Sequence, residues 1–304
     1  LDDMDASFSH GSDTGAFIAA KHLSIMGCSW DGQLGGGHIL RTPYQESGRI
    51  SNNYFGRPSS DGSVLKFHAP IQGASGVTAG LFSEKVCICD NTFQGAAATG
   101  VVAIEPQNQT EDERHKNIIF ERNYVMAGTG SQLVMQVQGE HEKLTIRNNV
   151  FNGSDVTTAF PVFMELRDSP TANYYGGGMR VYNNTFYSSA ARQFRAISIP
   201  SVSALTAGIE VYNNLAYGPG STSNAFYYDS GHTSISKGNN SSDAQILTNP
   251  LFSSIPTTAT QLSDTDFKPT SSSYAISGGV FSDFVFDDRI YGRRAVNDMG
   301  AQES

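Results

Sequence analysis

Apolar and polar positions alternate in short runs along this chain, and a returning phrase punctuates the runs. It reads Ile50-Ser51-Asn52-Asn53-Tyr54-Phe55, Ile88-Cys89-Asp90-Asn91-Thr92-Phe93 and Phe120-Glu121-Arg122-Asn123-Tyr124-Val125. It continues as Ile146-Arg147-Asn148-Asn149-Val150-Phe151, Val181-Tyr182-Asn183-Asn184-Thr185-Phe186 and Val211-Tyr212-Asn213-Asn214-Leu215-Ala216. A fainter copy ends at Gly238-Asn239-Asn240, and a degenerate one opens the series at Ile25-Met26-Gly27-Cys28-Ser29-Trp30. Period-2 alternation on both sides of the Asn pair predicts two strands with a turn between them. Asn suits that turn because its side chain tolerates left-handed backbone and bonds neighbouring main chain. Stacked one per coil, such side chains can pass amide hydrogen bonds from turn to turn.

The second Asn of the phrase falls at 53, 91, 123, 149, 184, 214 and 240, with gaps of 38, 32, 26, 35, 30 and 26 residues. The shortest gaps define a unit near 26 residues, and the longer ones carry loop insertions. A phrase at a coil-sized interval is the signature of a solenoid. No long stripe of period 3.6 appears, and β-branched and aromatic residues fill the apolar runs, so the coils are built from strands and not from helices.

On these repeats the chain resembles the right-handed parallel β-helix proteins, the superfamily of pectate lyases, polygalacturonases, alginate lyases and phage tailspikes. The segments Asn249-Pro250-Leu251-Phe252, Asp266-Phe267-Lys268-Pro269, Ser273-Tyr274-Ala275-Ile276 and Asp298-Met299-Gly300-Ala301-Gln302-Glu303 are similar to the tail that closes the last open coil in secreted bacterial members. A solenoid needs such a polar end for solubility. The expectation is one all-β domain, a right-handed parallel β-helix of about 8–9 coils over residues 1–245 with a C-terminal cap over 246–304 packed on the last coils.

Composition narrows the partners. A net charge of -9 and a pI near 5.2 argue against nucleic acid, whose binders show a basic surplus. No apolar run reaches membrane-spanning length. Charged residues make up only 16%, with Ser, Thr, Asn and Gly filling the polar positions, a composition frequent in extracellular carbohydrate-active β proteins. The chain opens at Leu1 without a charged, apolar leader, and Asp5-Ala6-Ser7-Phe8 already reads as coil. The expectation is therefore a secreted bacterial protein whose leader and further coils precede this sequence. The three cysteines make no disulfide framework: Cys87 and Cys89 flank the inward Ile88, and Cys28 lies in another column.

A second strand follows the loop after each phrase. These strands read His38-Ile39-Leu40-Arg41, Val64-Leu65-Lys66-Phe67-His68, Val101-Val102-Ala103-Ile104-Glu105, Val134-Met135-Gln136-Val137-Gln138, Phe163-Met164-Glu165-Leu166-Arg167 and Arg195-Ala196-Ile197-Ser198. Strict alternation predicts two outward columns, one of Arg41, Lys66, Ala103, Gln136, Glu165 and Ala196, the other of His68, Glu105, Gln138, Arg167 and Ser198. Structural solenoids fill such positions with Ser, Thr and Asn, so this strip is a candidate groove. In the β-helix enzymes it resembles, the corresponding strip holds a polysaccharide along the helix axis. The insertions 57–63, 72–84, 106–116 and 168–178 are candidate groove walls.

Two chemistries compete for the strip. A lyase removes the proton beside a uronate carboxylate and needs a base with a cation close to that carboxylate. Lys66 and His68, with Arg41 one coil away, offer both, and Arg167 can grip another uronate. A glycoside hydrolase needs two carboxylates at a defined spacing, for which Glu105 and Glu165 are the candidates. Gln136, Gln138, Arg167, Arg195 and Ser198 are the candidate substrate contacts in either case. The polygalacturonase pattern with Gly-His-Gly and Arg-Ile-Lys is absent, and the Asp-His strand pair of pectate lyases is not matched. The basic cluster in an acidic protein puts β-elimination of an acidic polysaccharide first. A third reading is a non-catalytic binding or adhesin module whose Tyr174, Tyr175, Tyr227 and Tyr228 stack on sugar rings. The acidic loop from Glu105 to Arg114 offers Asp112 and Glu113 as calcium ligands, a role the resemblance to calcium-using lyases implies. The same residues also read, and more simply, as a solvated loop in which Asp112 or Glu113 pairs with Arg114 or Lys116.

Overall fold

The computed structural model describes residues 5–8, 15–32, 37–56, 63–68, 82–95, 100–105, 114–138, 140–157, 160–167, 178–189, 193–200, 208–218, 225–228, 235–242, 245, 248–257, 263 and 266–275. They form a right-handed parallel β-helix built from three parallel sheets of eight strands each. In coil order, the first sheet contains Ala16–Ala19, Leu40–Tyr44, Leu65–Phe67, Val102–Ile104, Leu133–Gln138, Val162–Arg167, Arg195–Ile199 and Phe226–Tyr228. The second contains His22–Met26, Ser47–Ser51, Phe82–Cys89, Arg114–Glu121, Glu140–Arg147, Met179–Tyr182, Ile209–Tyr212 and Ile235–Gly238. The third contains Asp5–Phe8, Ser29–Gly32, Tyr54–Phe55, Thr92–Gln94, Tyr124–Met126, Val150–Gly153, Thr185–Ser188 and Leu215–Tyr217.

The Asn phrase makes the corner between the second and third sheets, and its two positions do different work. The first carries a left-handed backbone: Asn52, Asp90, Arg122, Asn148, Asn183, Asn213 and Asn239 have φ between 50° and 60°, and Gly27 has 66°. Asn and Gly reach this region at low cost. Asp90 and Arg122 occupy the same place, so the corner requires the conformation and not the amide. The second position requires the amide. Asn149 is typical: its Oδ1 accepts from Asn123 N at 2.9 Å and Asn123 Nδ2 at 3.1 Å, while its Nδ2 donates to Phe120 O at 3.0 Å and Asn184 Oδ1 at 2.9 Å. The ladder runs without a break from Asn53 to Asn240. Each rung satisfies main-chain groups that the turn leaves without sheet partners.

Inside the coil, aromatic rings of the third sheet stack on one another, and Phe120 of the second sheet joins them. Trp30, Phe55, Phe93 and Phe120 follow one another with centroids 5.1–6.0 Å apart, and Phe151 stacks on Phe186 at 4.9 Å. Cys28 and Cys89 are buried, Cys87 is half-buried, and all three are free thiols. One part of the lumen is polar. At the corner between the first and second sheets lie Thr42, Gln45, Ser83, His115 and His141, all fully buried. His115 stacks on His141 at 4.9 Å and packs on Phe67 at 5.4 Å.

The described residues of the C-terminal segment lie along the flank, against the last four strands of the third sheet. Phe267, Phe252 and Ile255 pack on Tyr124, Met126, Val150 and Tyr187, and Tyr274 and Ala275 pack beside Leu215. Asn152 Nδ2 donates to Pro256 O at 2.7 Å, and Phe252 bridges Pro269 in an antiparallel pairing. The third sheet presents large apolar residues outward there, and burying them is the reason for this route. The segment from Asp298 to Glu303 lies outside the described residues.

Replacing Asn149 by Ala removes four hydrogen bonds and strands buried partners, so unfolding stability should fall by about 3 kcal/mol or more. Asn52→Gly, at an exposed left-handed position, should change it by less than about 0.5 kcal/mol. Chemical denaturation of both variants checks the division of labour, which equal losses would refute.

Candidate functional site

Two consecutive inward residues open the strands of the first sheet: Ile39-Leu40, Val64-Leu65, Val101-Val102, Val134-Met135, Phe163-Met164 and Ala196-Ile197 are all in the core. The chain bends as it enters this sheet, so the residues on both sides of the bend face the lumen. Strict alternation therefore misplaces the sixth of these coils. Ala196 is fully buried, and Ser198 pairs with Glu165 instead of standing beside Arg167. The observed column runs Phe17, Arg41, Lys66, Ala103, Gln136, Glu165, Ser198, Tyr227. Arg195 pairs with Val162, and Arg167 pairs with Gln138.

Four of the residues singled out from the sequence, Lys66, Glu105, Gln136 and Gln138, join one network, and Arg41 and His68 form a separate pair. Lys66 Nζ lies 2.8 Å from Glu105 Oε1, with the two side chains 14% and 17% exposed. Gln136 Nε2 donates to Glu105 Oε2 at 2.6 Å and to Gln138 Oε1 at 2.9 Å. Lys66 and Gln136 can both reach Glu105 because the residue between them in the column is Ala103, which puts no bulk in the way. Arg41 Nε donates to His68 Nε2 at 2.9 Å, which leaves the His68 proton on Nδ1. His68 itself is fully buried.

These contacts redistribute the roles expected of the strip. Lys66 is an ion-pair partner with no lone pair to offer, and the His68 Nε2 lone pair is taken by Arg41. A third basic residue, His38, was not among the sequence candidates. Its Nδ1 lies 3.2 Å from Ser63 O, so Nε2 is the acceptor nitrogen. Its pKa is pushed down to about 4, chiefly by burial and then by Lys66, with Arg41 adding to the shift and the Ser63 carbonyl opposing it. His38 is thus a neutral imidazole at neutral pH beside two cations. Its strand was legible in the sequence, but its proximity to Lys66 one coil away depends on the register.

Aromatic–guanidinium contacts stand at both ends of the column. Arg41 Cζ is 5.3 Å from the centre of the exposed Phe17 ring. Arg195 lies between Tyr227 at 3.9 Å and Phe160 at 5.2 Å, with its NH1 3.4 Å from Ser198 Oγ. Each contact presents an aromatic face together with a cation. Tyr228 faces the core, and burial raises its hydroxyl well above the usual range. Tyr174, Tyr175, Asp112, Glu113 and most of the four loop insertions lie outside the described residues. Among the described residues, no cluster of three or more His, Cys, Asp and Glu could hold a metal ion, and no helix is long and apolar enough to cross a membrane.

No protein-family model matches the sequence, and no curated protein matches it.

Beneath the strip, burial pushes His115 well below the ordinary histidine range, with His141 and His68 adding to the effect. Burial likewise lowers His141 to about 4, against the opposing hydrogen bond to Gln138 O. In the unfolded chain both titrate near pH 6.5. As pH falls through that value, the unfolded state takes up protons that the folded state refuses, so stability present above about pH 6.5 is lost on acidification. Each buried histidine contributes a slope of about 1.4 kcal/mol per pH unit once its unfolded form is protonated. Unfolding followed from neutral to about pH 4.5 should show this loss, and His115→Phe should make it shallower. An unchanged slope in that variant would refute the assignment.

Proposed function

We propose that the outer strip of the first sheet holds an acidic, uronate-containing polysaccharide along the helix axis, and that the protein cleaves it by β-elimination. The pectate-lyase-like β-helix enzymes that the chain resembles would be a functional parallel, and the setting would be extracellular. One observation carries the reading: Arg41 and Lys66 stand one coil apart in the outward column, with the neutral imidazole of His38 within their electrostatic reach. A uronate carboxylate placed between Arg41 and Lys66 has its charge offset, which acidifies the neighbouring C5–H. His38 Nε2 then takes that proton, a double bond forms between C4 and C5, the C4–O bond breaks, and the departing oxygen takes up a proton. Burial is the chief cause of the low His38 pKa; the incoming carboxylate offsets the added contribution of the two cations, making the imidazole a stronger base once substrate is bound. Gln136, Glu165 and Arg167 continue the strip as sugar contacts, while Gln138 and Ser198, expected from the sequence to join them, are buried behind it. Phe17 and the Tyr227–Arg195–Phe160 group provide stacking surfaces at its ends.

Incubation with pectate, alginate, glycosaminoglycans and neutral glucans, with and without chelator, tests this. Absorbance from unsaturated uronate ends is the expected product signal, and a chelator-sensitive rate would bring calcium into the site. Reducing ends without absorbance would replace elimination with hydrolysis by Glu105 and Glu165, and binding without either product would leave a binding module. His38→Ala should lower kcat/KM by about 10²-fold or more. Lys66→Met, which removes one cause of the His38 shift, should move the acid limb of the kcat/KM profile to higher pH. Full activity in His38→Ala would remove it as the base.

A further inference from the structure

The second sheet has a feature of its own on its outer face. A column of residues precedes the inward position of successive strands there. Lys85, Asn117 and Lys143 occupy it on three consecutive coils, all with left-handed backbone at φ 52–60°. On the next coil the place is taken by Gly178 at φ +98°, and on the coil after that by Gly208, whose carbonyl accepts from Met179 N at 3.3 Å. The column of side chains therefore stops. A Cβ at Gly178 would meet nothing nearer than Gly208 O at 4.0 Å.

The missing side chains open a notch of about 350 Å³, within the range of small-ligand sites (~300–1,000 Å³). Its floor is Ile119 and Thr145, adjacent rungs of one outward column that continues to Arg180 and Glu210. Its rim carries Asn117, Lys143 and Arg180. Arg180 Nε is 3.1 Å from Glu210 Oε2, so those charges balance. Lys143 is the remaining cation: it is exposed, and among the described residues no carboxylate pairs with it. A concave surface with an apolar floor, an amide donor and one unbalanced ammonium fits a sugar ring carrying a carboxylate. The hydrocarbon face of the ring would lie on Ile119 and Thr145, and its charge would meet Lys143.

We propose that this notch is a second, non-catalytic binding site for an acidic saccharide, on a different sheet from the strip. Its occupant would be a uronate unit of a polysaccharide chain. Two sites on one rigid coil raise the effective concentration of substrate at the strip. The choice of a uronate rests on the reading of the strip as a polyuronate site, but the notch is built of separate residues, and the test distinguishes the two.

The test is a titration of the isotopically labelled protein with short oligogalacturonate, short alginate fragments and a neutral xylo-oligosaccharide, read from backbone amide resonances. The expected result is movement of Asn117, Ile119, Thr145 and Arg180 with an acidic oligosaccharide and not with the neutral one. The Lys143→Asn/Arg180→Gln double variant should weaken that set about tenfold while the resonances of Lys66, Glu105 and Gln136 keep their response. Asn is chosen at 143 because it tolerates the left-handed backbone. If the notch resonances ignore every acidic oligosaccharide, respond equally to the neutral one, or respond unchanged in the double variant, the second site is overturned. If they respond while the strip does not, the notch stands and the reading of the strip falls.

Discussion

The buried asparagine ladder is the constraint on which the other columns depend. Each rung ties the corner of one coil to the corners of its neighbours by side-chain and main-chain hydrogen bonds of 2.8–3.1 Å. With the corner fixed in phase, the strand after it begins at the same angular position on every coil. A slip of one residue would turn every side chain to the opposite face. The stacked phenylalanines inside and the polar columns outside both follow from that phase. The left-handed residue that precedes each rung sets the direction of the corner, and this explains why Asp90 and Arg122 can stand where Asn usually does.

In-register stacking also governs the electrostatics. Groups on adjacent coils are held ~4.8 Å apart, close enough for a long side chain to reach across one rung. Ala103 lets Lys66 and Gln136 converge on Glu105, and Arg41 reaches His68 from the preceding coil. Burial is the chief cause that keeps His38 neutral, and the closeness of Lys66 on the next coil adds to it. The strip is a set of couplings between coils, so a substitution in it acts through the rungs above and below.

The repeat, the fold and the parity of the strip were legible in the sequence because each rests on local periodicity. Lys66, Glu105, Gln136 and Gln138 do lie together, two from each of the two expected columns. The misplacement of Ala196 and Ser198 has a local cause: the bend at the entry to the first sheet turns two successive residues inward, which a period of two cannot represent. The contacts of Lys66, His68 and His38 were not legible, because each depends on a partner in another coil or across an insertion of variable length. The notch beside Lys143 was hidden for a related reason, since Gly178 and Gly208 become informative only when aligned with Lys85 and Asn117. The path of the tail depends on which faces of the third sheet remain apolar after the coils are stacked.

That tail bears on how the molecule comes apart. A solenoid in which each repeat touches only its neighbours melts by fraying, coil by coil. Here Phe252, Ile255 and Phe267 bind residues from several coils at once, among them Tyr124, Val150 and Tyr187. Those coils share a fastener that no single one of them owns, so they open together or not at all. The coils ahead of Tyr124 lack this fastening among the described residues and keep the independence of ordinary repeats. Among the described residues, the stack of coils is thus modular at one end and cooperative at the other. Gain or loss of whole coils over evolutionary time is easiest in the unfastened part, which contains Arg41 and Lys66, whereas the fastened part can change only by substitution in place.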